Sequence, residues 1–398
     1  MKIRVSAICA VLVLSILVSP AGTMSISTPK GEKFLIADAT EMEFSPAING
    51  NNVVWFQKLE TNWGYRVMHK DLNTGIITQI SRNDEYLPYI EMGHDLYITN
   101  KYCYWLAANY DTHTVIVVVY DFNQKRDIIY DYSQEKKYLS WPTVHDEYLF
   151  FWRYDSRARK FELMMDRLNT PQNPKVVFVS PYAGVSPIFA NEGYATWTDS
   201  TDVYLYDINH EKVTKITDTP DSEYYAMIQN GIVWYSLYET YPEIRHTLYG
   251  YRIKEGTYFK VHERTGQYWQ YLAFNPDSRL TVFLEYYYEG QYEYSSIWVY
   301  DQKKGTLKEI AKDRSYNMRW GHGCSSKDVV VWMQRNASGK GDLKLYDDNK
   351  DTTYTLTDSS IFYSCVPKID NKTIVWIEIA YNGGNWTKQI CGFTLKGE

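Results

Sequence analysis

The chain has 398 residues, and its 42 Lys and Arg against 48 Asp and Glu give a formal net charge of −6 at neutral pH. Nucleic-acid binding depends on Lys and Arg replacing the counterions of phosphates, so a mildly acidic chain is a poor candidate for it. Tyr, Trp and Phe make up 16% of the residues, a content that suits half-buried β-sheet surfaces and stacking platforms for ligands.

The first residues predict an export signal. Lys2 and Arg4 precede a short apolar run at 7–18, and small residues follow at 19–21. This run is shorter than the roughly 20 residues that span a bilayer, and no later segment has eighteen consecutive apolar residues. We therefore expect a signal peptide at 1–21, a linker at 22–32 and a domain at 33–398 with no membrane span. The predicted location is extracellular, periplasmic or on the cell surface; an uncleaved N-terminal anchor is the alternative.

One unit recurs along the rest of the chain. A segment often containing Pro is followed by a turn, a β-branched run ending in an aromatic residue, a second strand, a polar turn and a final short strand. The gaps between the aromatic residues lie between 37 and 50 residues, which is close to the length of a four-stranded propeller blade. The eight aromatic residues are Trp55, Trp105, Trp152, Trp197, Trp234, Phe283, Trp332 and Trp376.

The strand types and the two ends of the chain also fit a propeller. The continuous apolar run at 329–332 is typical of a strand covered on both faces, whereas 76–80 alternates as an outer strand does. The final copy stops after its third strand at 389–394, and 33–37 can supply the missing fourth strand. The sequence therefore predicts an all-β, closed propeller of eight four-stranded blades, with the last blade completed by an N-terminal strand.

An Asp follows the penultimate strand in several copies. A metal ligand is one interpretation, but repetition from blade to blade favours a hairpin turn in which Asp binds its own backbone. These residues are Asp71, Asp121, Asp207, Asp301 and Asp347.

The segments 87–90, 203–207, 215–217 and 230–234 resemble the TolB-like, WD-repeat-like propeller repeat of periplasmic TolB proteins and prokaryotic cell-surface or secreted proteins. The resemblance covers residues 33–396 at the level of the repeat. It implies the propeller architecture, whereas a fold alone does not define a function.

Related propellers occur in two classes of enzyme. No Gly-x-Ser-x-Gly nucleophile elbow occurs, which argues against a prolyl-oligopeptidase-type hydrolase. A metal-dependent, uronic-acid lyase-like enzyme is the alternative function, because His94, His145 and His322 all fall near innermost strands and a propeller can bring distant residues to its axis. Turn or surface positions are the favoured interpretation of these histidines, and no catalytic residue, metal site or cofactor is predicted.

The segments leading into the innermost strands repeat an acidic or polar residue followed by aromatic residues, as in 84–86 and 223–225. Ring closure brings these segments to one face, at the mouth of the central channel. Their aromatic rings could stack on a ligand that the carboxylates orient, although packing between blades is the alternative for any single ring. Because carboxylates are rarely buried without partners, we expect those of this set to line water. The expected ligand-binding residues are Glu43, Glu85, Tyr86, Trp141, Glu223, Tyr224, Tyr268, Trp269, Tyr316 and Arg319.

The favoured function is therefore an exported, non-enzymatic binding or cell-surface interaction protein. Its partner would be a protein, peptide or carbohydrate held on the channel face. Four cysteines remain after removal of the signal, and Cys324 and Cys365 lie next to the innermost strands of consecutive copies. Four cysteines allow three pairings, between which the sequence does not decide. In an oxidising location we expect Cys324 and Cys365 to approach within about 7 Å of each other, close enough for a disulfide.

Overall fold

The computed structural model describes eighteen parts of the chain. Their strands form eight antiparallel sheets arranged in a ring, a β-propeller. The described residues are 30–39, 43–59, 64–81, 87–88, 96–109, 114–130, 137–170, 173–180, 186–240, 242–266, 268–273, 275, 278–314, 318–319, 321–335, 340–357, 366–382 and 385–396.

The strands are numbered in chain order, and each blade is given from its innermost to its outermost strand. The first strand, β1 (Gly31–Ala39), belongs to the last blade. Blade 1 contains β2 (Glu43–Asn49), β3 (Asn52–Lys58), β4 (Tyr65–Asp71) and β5 (Ile77–Gln79). In blade 2, β6 (Leu87–Pro88) and β7 (Tyr97–Ile98) share the innermost position, followed by β8 (Tyr102–Asn109), β9 (Thr114–Asp121) and β10 (Arg126–Tyr130). Blade 3 contains β11 (Lys137–His145), β12 (Tyr148–Asp155), β13 (Lys160–Arg167) and β14 (Lys175–Ser180).

The remaining blades follow the same plan. Blade 4 contains β15 (Phe189–Asn191), β16 (Tyr194–Asp199), β17 (Asp202–Asp207) and β18 (Lys212–Lys215). Blade 5 contains β19 (Ser222–Gln229), β20 (Ile232–Glu239), β21 (Arg245–Arg252) and β22 (Thr257–Thr265). Blade 6 contains β23 (Tyr268–Ala273), β24 (Leu280–Glu289), β25 (Tyr292–Asp301) and β26 (Thr306–Arg314). In blade 7, β27 (Met318–Arg319) and β28 (Ser325–Ser326) precede β29 (Val329–Arg335), β30 (Gly341–Asp347) and β31 (Thr352–Thr355). Blade 8 contains β32 (Lys368–Asp370), β33 (Thr373–Asn382), β34 (Asn385–Leu395) and β1.

The apolar core lies between neighbouring blades. All eight aromatic residues that mark the repeat fall in the second strand of a blade, and each is no more than 2% exposed. The outermost strands β5, β22 and β26 are largely exposed. Burial on both faces of the second strand explains its continuous apolar sequence. The predicted assignment of one marker aromatic residue to each of the eight blades is confirmed.

The two ends of the chain close the ring as predicted. β1 pairs antiparallel with β34, from Gly31 opposite Leu395 to Ala39 opposite Lys388. Phe34 lies over Gly392, where a Cβ atom would overlap its ring. An aromatic ring over a cross-strand glycine fills the space that the missing side chain leaves.

Turns between the first and second strands also connect neighbouring blades. The Gly193 amide donates to His145 Nε2 at 3.1 Å, and the Asn371 amide donates to Ser326 Oγ at 2.9 Å. The Gly50 amide donates to Asp370 of the last blade at 2.5 Å. These turns occupy the same end of each blade, and the three bonds join blade 3 to blade 4, blade 7 to blade 8, and blade 8 to blade 1.

The interpretation of the recurring Asp residues as turn residues is confirmed. Asp71 accepts from the Asn73 amide at 2.8 Å, and Asp301 accepts from the Lys303 amide at 2.9 Å. Asp121, Asp207 and Asp347 make the equivalent bond. Over the parts of the chain that the structure describes, no helix has the length and apolarity to cross a bilayer.

Candidate functional site

Among the innermost strands as far as the structure describes them, β2, β11 and β19 carry a bulge at the same position. The register of β2, β11 and β19 shifts around Ser45, Trp141 and Tyr225, and these residues have φ values of 49°, 53° and 58°. A bulge redirects a side chain and recurs near active sites. A left-handed backbone at a bulky residue costs of order 1–3 kcal/mol, and residues strained in this way cluster at functional sites. The inner strands of blades 3 and 5 therefore present an aromatic side chain from a strained backbone.

Tyr225 belongs to a continuous row of tyrosine rings, called the tyrosine row below. The row starts in β20, crosses the innermost strands of blades 5 and 6, and ends in β24. Its ring centroids are separated by 6.4 Å (Tyr238 and Tyr224), 6.5 Å (Tyr224 and Tyr225), 5.3 Å (Tyr225 and Tyr271) and 6.1 Å (Tyr271 and Tyr286). Every one of these separations lies within the range of attractive aromatic contacts.

Two rings of the row are open to solvent. Tyr224 is 42% exposed and Tyr225 is 37% exposed. Burial of the phenol group and the neighbouring Tyr271 raise the pKa of Tyr225 to about 12. Both rings thus offer an apolar face to solvent, and Tyr225 keeps a neutral hydroxyl group at physiological pH.

Glu223, next to Tyr224 in the chain, does not line water, and that expectation is wrong. It is 1% exposed, and its backbone amide donates to Thr201 O of blade 4 at 3.1 Å. Thr219 Oγ1 donates to Glu223 Oε1 at 2.7 Å, whereas Oε2 is buried without a hydrogen-bond partner among the described residues. Burial raises the pKa of Glu223 to about 7, and Asp202 adds to the shift. A retained proton makes this burial tolerable.

The charged groups beneath the row are neutral or paired. The His246 ring packs against the Tyr238 ring with a centroid separation of 4.5 Å and a tilt of 51°, and burial lowers the pKa of His246 to about 4. Glu285 is 0% exposed, with Oε1 at 2.7 Å from His262 Nε2 and Oε2 at 3.4 Å from Arg264 Nη2. A buried carboxylate needs such partners, and the Arg264 guanidinium is a permanent cation within ion-pair distance of this one.

The structure describes only part of the remaining predicted site residues. Trp141 is half-buried and packs against the apolar cluster between blades 3 and 4. Four others lie in described strands, but their side chains lie outside the described set: Glu43, Tyr268, Trp269 and Arg319. Three lie outside the described residues altogether: Glu85, Tyr86 and Tyr316. Membership of a ligand site stays a prediction for all of them.

Three tyrosines of the row were not among the residues expected in the site from the sequence: Tyr225, Tyr271 and Tyr286. Tyr225 directly follows Tyr224, and it occupies the position that comes just before the blade's Pro in 45–46 and 141–142. Its position, equivalent to those of Ser45 and Trp141, is the feature of the sequence from which Tyr225 could have been predicted as a site residue. Tyr271 shares β23 with the predicted Trp269.

Two of the three candidate histidines have structural roles. His145 accepts a hydrogen bond from the Gly193 amide of blade 4, and burial lowers the pKa of His145. The His322 ring of blade 7 packs on Phe189 of blade 4 at 5.3 Å. Blades 4 and 7 are not neighbours, so this contact narrows the central channel. His94 lies outside the described residues, and no group of three or more His, Cys, Asp or Glu within the described ranges could hold a metal ion.

The predicted disulfide is not tested by the structure. Cys324 is 0% exposed, and burial raises the pKa of its thiol to about 12. Cys365 lies outside the described residues.

Neither a family model nor a curated protein sequence matches the chain. Among solved structures, the propeller domain of the Trilobed protease from Pyrococcus furiosus matches with a TM-score of 0.53 and 14% identity, covering 80% of this chain and 98% of that one. That domain is described as having an open velcro topology. An oligogalacturonate lyase from Vibrio parahaemolyticus matches with a TM-score of 0.50 and 10% identity, covering 93% and 97%.

Propeller peptidases match over part of their length. A puromycin-hydrolyzing peptidase from Mycobacterium tuberculosis has a TM-score of 0.52 and 10% identity, covering 87% of this chain. The chain spans 60% of that peptidase and 47% of a prolyl endopeptidase. At these identities the similarity establishes a shared β-propeller fold, and the site must be argued from its own residues.

Proposed function

We propose that this chain is an exported, non-enzymatic binding protein that holds its ligand at the channel mouth, chiefly on blade 5. The observation that supports this most is the pair of exposed rings at Tyr224 and Tyr225. They lie on an innermost strand, where the backbone at Tyr225 is strained. Exposed aromatic patches on soluble proteins commonly mark binding sites.

The channel geometry supports a ligand that approaches from this face. Tyr224 and Tyr225 lie in the half of β19 that leads in from the preceding blade. Further along the axis, the contact between Phe189 and His322 narrows the channel. A ligand at the mouth would therefore rest against the tyrosine row, with Trp141 of blade 3 on another side of the ring.

The binding role is tested with glycan and peptide arrays probed with the protein lacking residues 1–21. The probe variants are Tyr224→Ala with Tyr225→Ala, and Trp141→Ala. The control is Tyr258→Ala, which removes a 52% exposed tyrosine from the outermost strand of the same blade, towards the opposite face. We expect ligands retained by the wild type and the control to be lost by the double variant, by about tenfold or more in affinity. Retention of every ligand by the double variant would contradict the proposed site.

Metal analysis of the purified protein addresses the lyase-like alternative. We expect no stoichiometric metal, because the two histidines described near the axis have structural contacts. Bound Mn, Ca or Zn at one ion per chain would favour the enzyme and count against a purely binding function.

Export is proposed from the N-terminal sequence pattern. The full-length chain, expressed in a bacterium with a functional export pathway, should appear outside the cytoplasm with its N-terminus near residue 22. N-terminal sequencing of the exported protein checks this, and an intact chain found only in the cytoplasm would contradict it.

A further inference from the structure

The ligand class follows from the charges around the tyrosine row, and this inference rests on the proposed function. A polyuronate or other acidic ligand needs a cation to bind its carboxylates, and a basic peptide needs ionised carboxylates. The described charged groups next to the row therefore decide which ligand class fits. They come from blades 4, 5 and 6.

No described cation against the row is free for an acidic ligand. His262 and Arg264 both lie against Glu285, and the Arg264 guanidinium packs over the Tyr287 ring at 3.8 Å. Arg245 lies 3.7 Å from Glu239 and 3.8 Å from Glu263. His246 is buried and neutral at physiological pH.

The described carboxylates are equally unsuited to a basic ligand. Glu239 and Glu263 lie against Arg245, and Lys260 lies 3.1 Å from Glu263. Glu285 is completely buried and paired. Glu223 is 1% exposed, so no ligand reaches it without rearrangement. Asp202 of blade 4 pairs with Lys215 at 3.2 Å.

The row instead offers apolar ring faces and neutral hydroxyl groups. Neighbouring rings from Tyr238 to Tyr271 are tilted by 46° to 56° to one another, so the row forms a series of separate facets. Tyrosine combines an apolar face with a polar tip, which suits a ligand made of successive hydroxylated rings. We propose that the tyrosine row binds a chain of uncharged sugars, a neutral polysaccharide, with Tyr224 and Tyr225 as its stacking residues.

Affinity electrophoresis of the purified protein in gels containing one polysaccharide each tests this proposal. The neutral panel contains β-glucan, xylan, galactomannan and starch, and the acidic panel contains polygalacturonate and alginate. The compared proteins are the wild type, Tyr225→Ala, Tyr225→Phe and the control Tyr258→Ala. Circular dichroism confirms that each variant is folded.

We expect retardation by at least one neutral polysaccharide, unchanged between about 50 and about 500 mM salt because the described charged groups beside the row are paired or buried. Tyr225→Ala should weaken this binding by about tenfold or more, whereas Tyr225→Phe and Tyr258→Ala should retain it. If the wild type bound only acidic polysaccharides and Tyr225→Ala lost that binding, the inference would be overturned, whereas the proposed site would be supported. Absence of binding to every neutral polysaccharide would overturn the inference. Neutral binding that is unaffected in Tyr225→Ala would overturn both the inference and the proposed site.

Discussion

Glu223 combines nearly complete burial with a carboxyl group whose pKa is raised to about 7. The sequence suggested a water-lining acid, because an isolated carboxylate is seldom buried. A local pattern does not reveal that Thr219 supplies a hydrogen bond or that blade 4 covers the group. Burial of this kind depends on the neighbouring blade, which sequence reasoning on one repeat does not include.

The raised pKa makes stability depend on pH in a defined direction. The folded-state pKa of about 7 lies above the ordinary value of 4.5, so the folded protein holds this proton more tightly. The contribution of Glu223 is fully present below about pH 4.5 and is lost as the pH rises through about 7. Glu223→Gln should remove this loss and raise the free energy of unfolding at pH 8 by up to about 3 kcal/mol.

Urea unfolding of Glu223→Gln and wild type at pH 5 and pH 8 measures this difference. The control Glu211→Gln changes an exposed acid paired with Lys175, and we expect it to leave the free energy of unfolding nearly unchanged at either pH because exposed ion pairs contribute little. An equal difference between Glu223→Gln and wild type at both pH values would be inconsistent with a raised pKa.

The pairing of Cys324 with Cys365 stays a prediction. If the disulfide forms in the exported protein, peptide mapping under non-reducing conditions should recover the two cysteines in one linked fragment. Removing the disulfide by Cys365→Ser should lower the free energy of unfolding by about 2–4 kcal/mol. Unlinked thiols at both positions in protein recovered from outside the cytoplasm would refute the pairing.

Between elements, Arg279 holds blades 6 and 7 together. Its guanidinium contacts Asp301 of its own blade, and lies 2.7 Å from both Asp328 and Asp348 of blade 7. Lys304 lies 3.1 Å from Asp348 in the same group. Arg279 and Lys304 hold the pKa of Asp301 down at about 2 despite its burial, so this carboxylate stabilises the fold above its ordinary pKa of 3.8 and loses that contribution as the pH falls through about 2.

Replacing Arg279 should uncouple the two blades. Arg279→Met leaves three carboxylates without their shared cation, and we expect the free energy of unfolding to fall by about 2–4 kcal/mol. The matched control Lys308→Met removes the exposed pair with Asp351, which should cost less than about 1 kcal/mol. Chemical denaturation at neutral pH measures both, and similar losses in the two variants would contradict the role of Arg279.

The elements themselves were largely predictable from the sequence. The second strand of each blade is covered on both faces, so its β-branched run and closing aromatic residue repeat clearly, as at Trp197 and Trp376. The bulges in the innermost strands were not predictable in the same way. Trp141 and Tyr225 adopt a left-handed backbone that neither residue favours. Their conformation is imposed by pairing with the second strand and by packing around the axis.

At the scale of the whole molecule, closure by β1 connects the two ends of the chain. Ile36 and Ala37 are buried with Ile390 in the cluster between blades 8 and 1. The complementary ends of the sequence predicted this closure, because a missing fourth strand at one end and a spare strand at the other together complete one four-stranded blade. The ligand is harder to predict from the sequence than the fold. Its binding depends on which aromatic side chains stay exposed once the propeller has closed.

Removing the closing strand should weaken the entire ring. A chain that starts at residue 40 lacks β1, exposes the edge of β34 and uncovers the cluster around Ile390. We expect a fall in thermal midpoint of more than about 10 °C, or aggregation, because a free edge strand pairs with other chains. A chain that starts at residue 30 retains β1 and is the control. Equal thermal midpoints for the two chains in calorimetry would show that closure contributes little.

The central claim is that the ligand lies against the tyrosine row at the channel mouth. A crystal structure of the protein lacking residues 1–21, bound to the oligosaccharide of the tightest-binding neutral polysaccharide, tests this most directly. We predict density for sugar rings against the faces of Tyr224 and Tyr225, with hydroxyl groups near Tyr271. Sugar density confined to the outer strands or to the opposite face of the ring, with Tyr224 and Tyr225 still open to solvent, would contradict it.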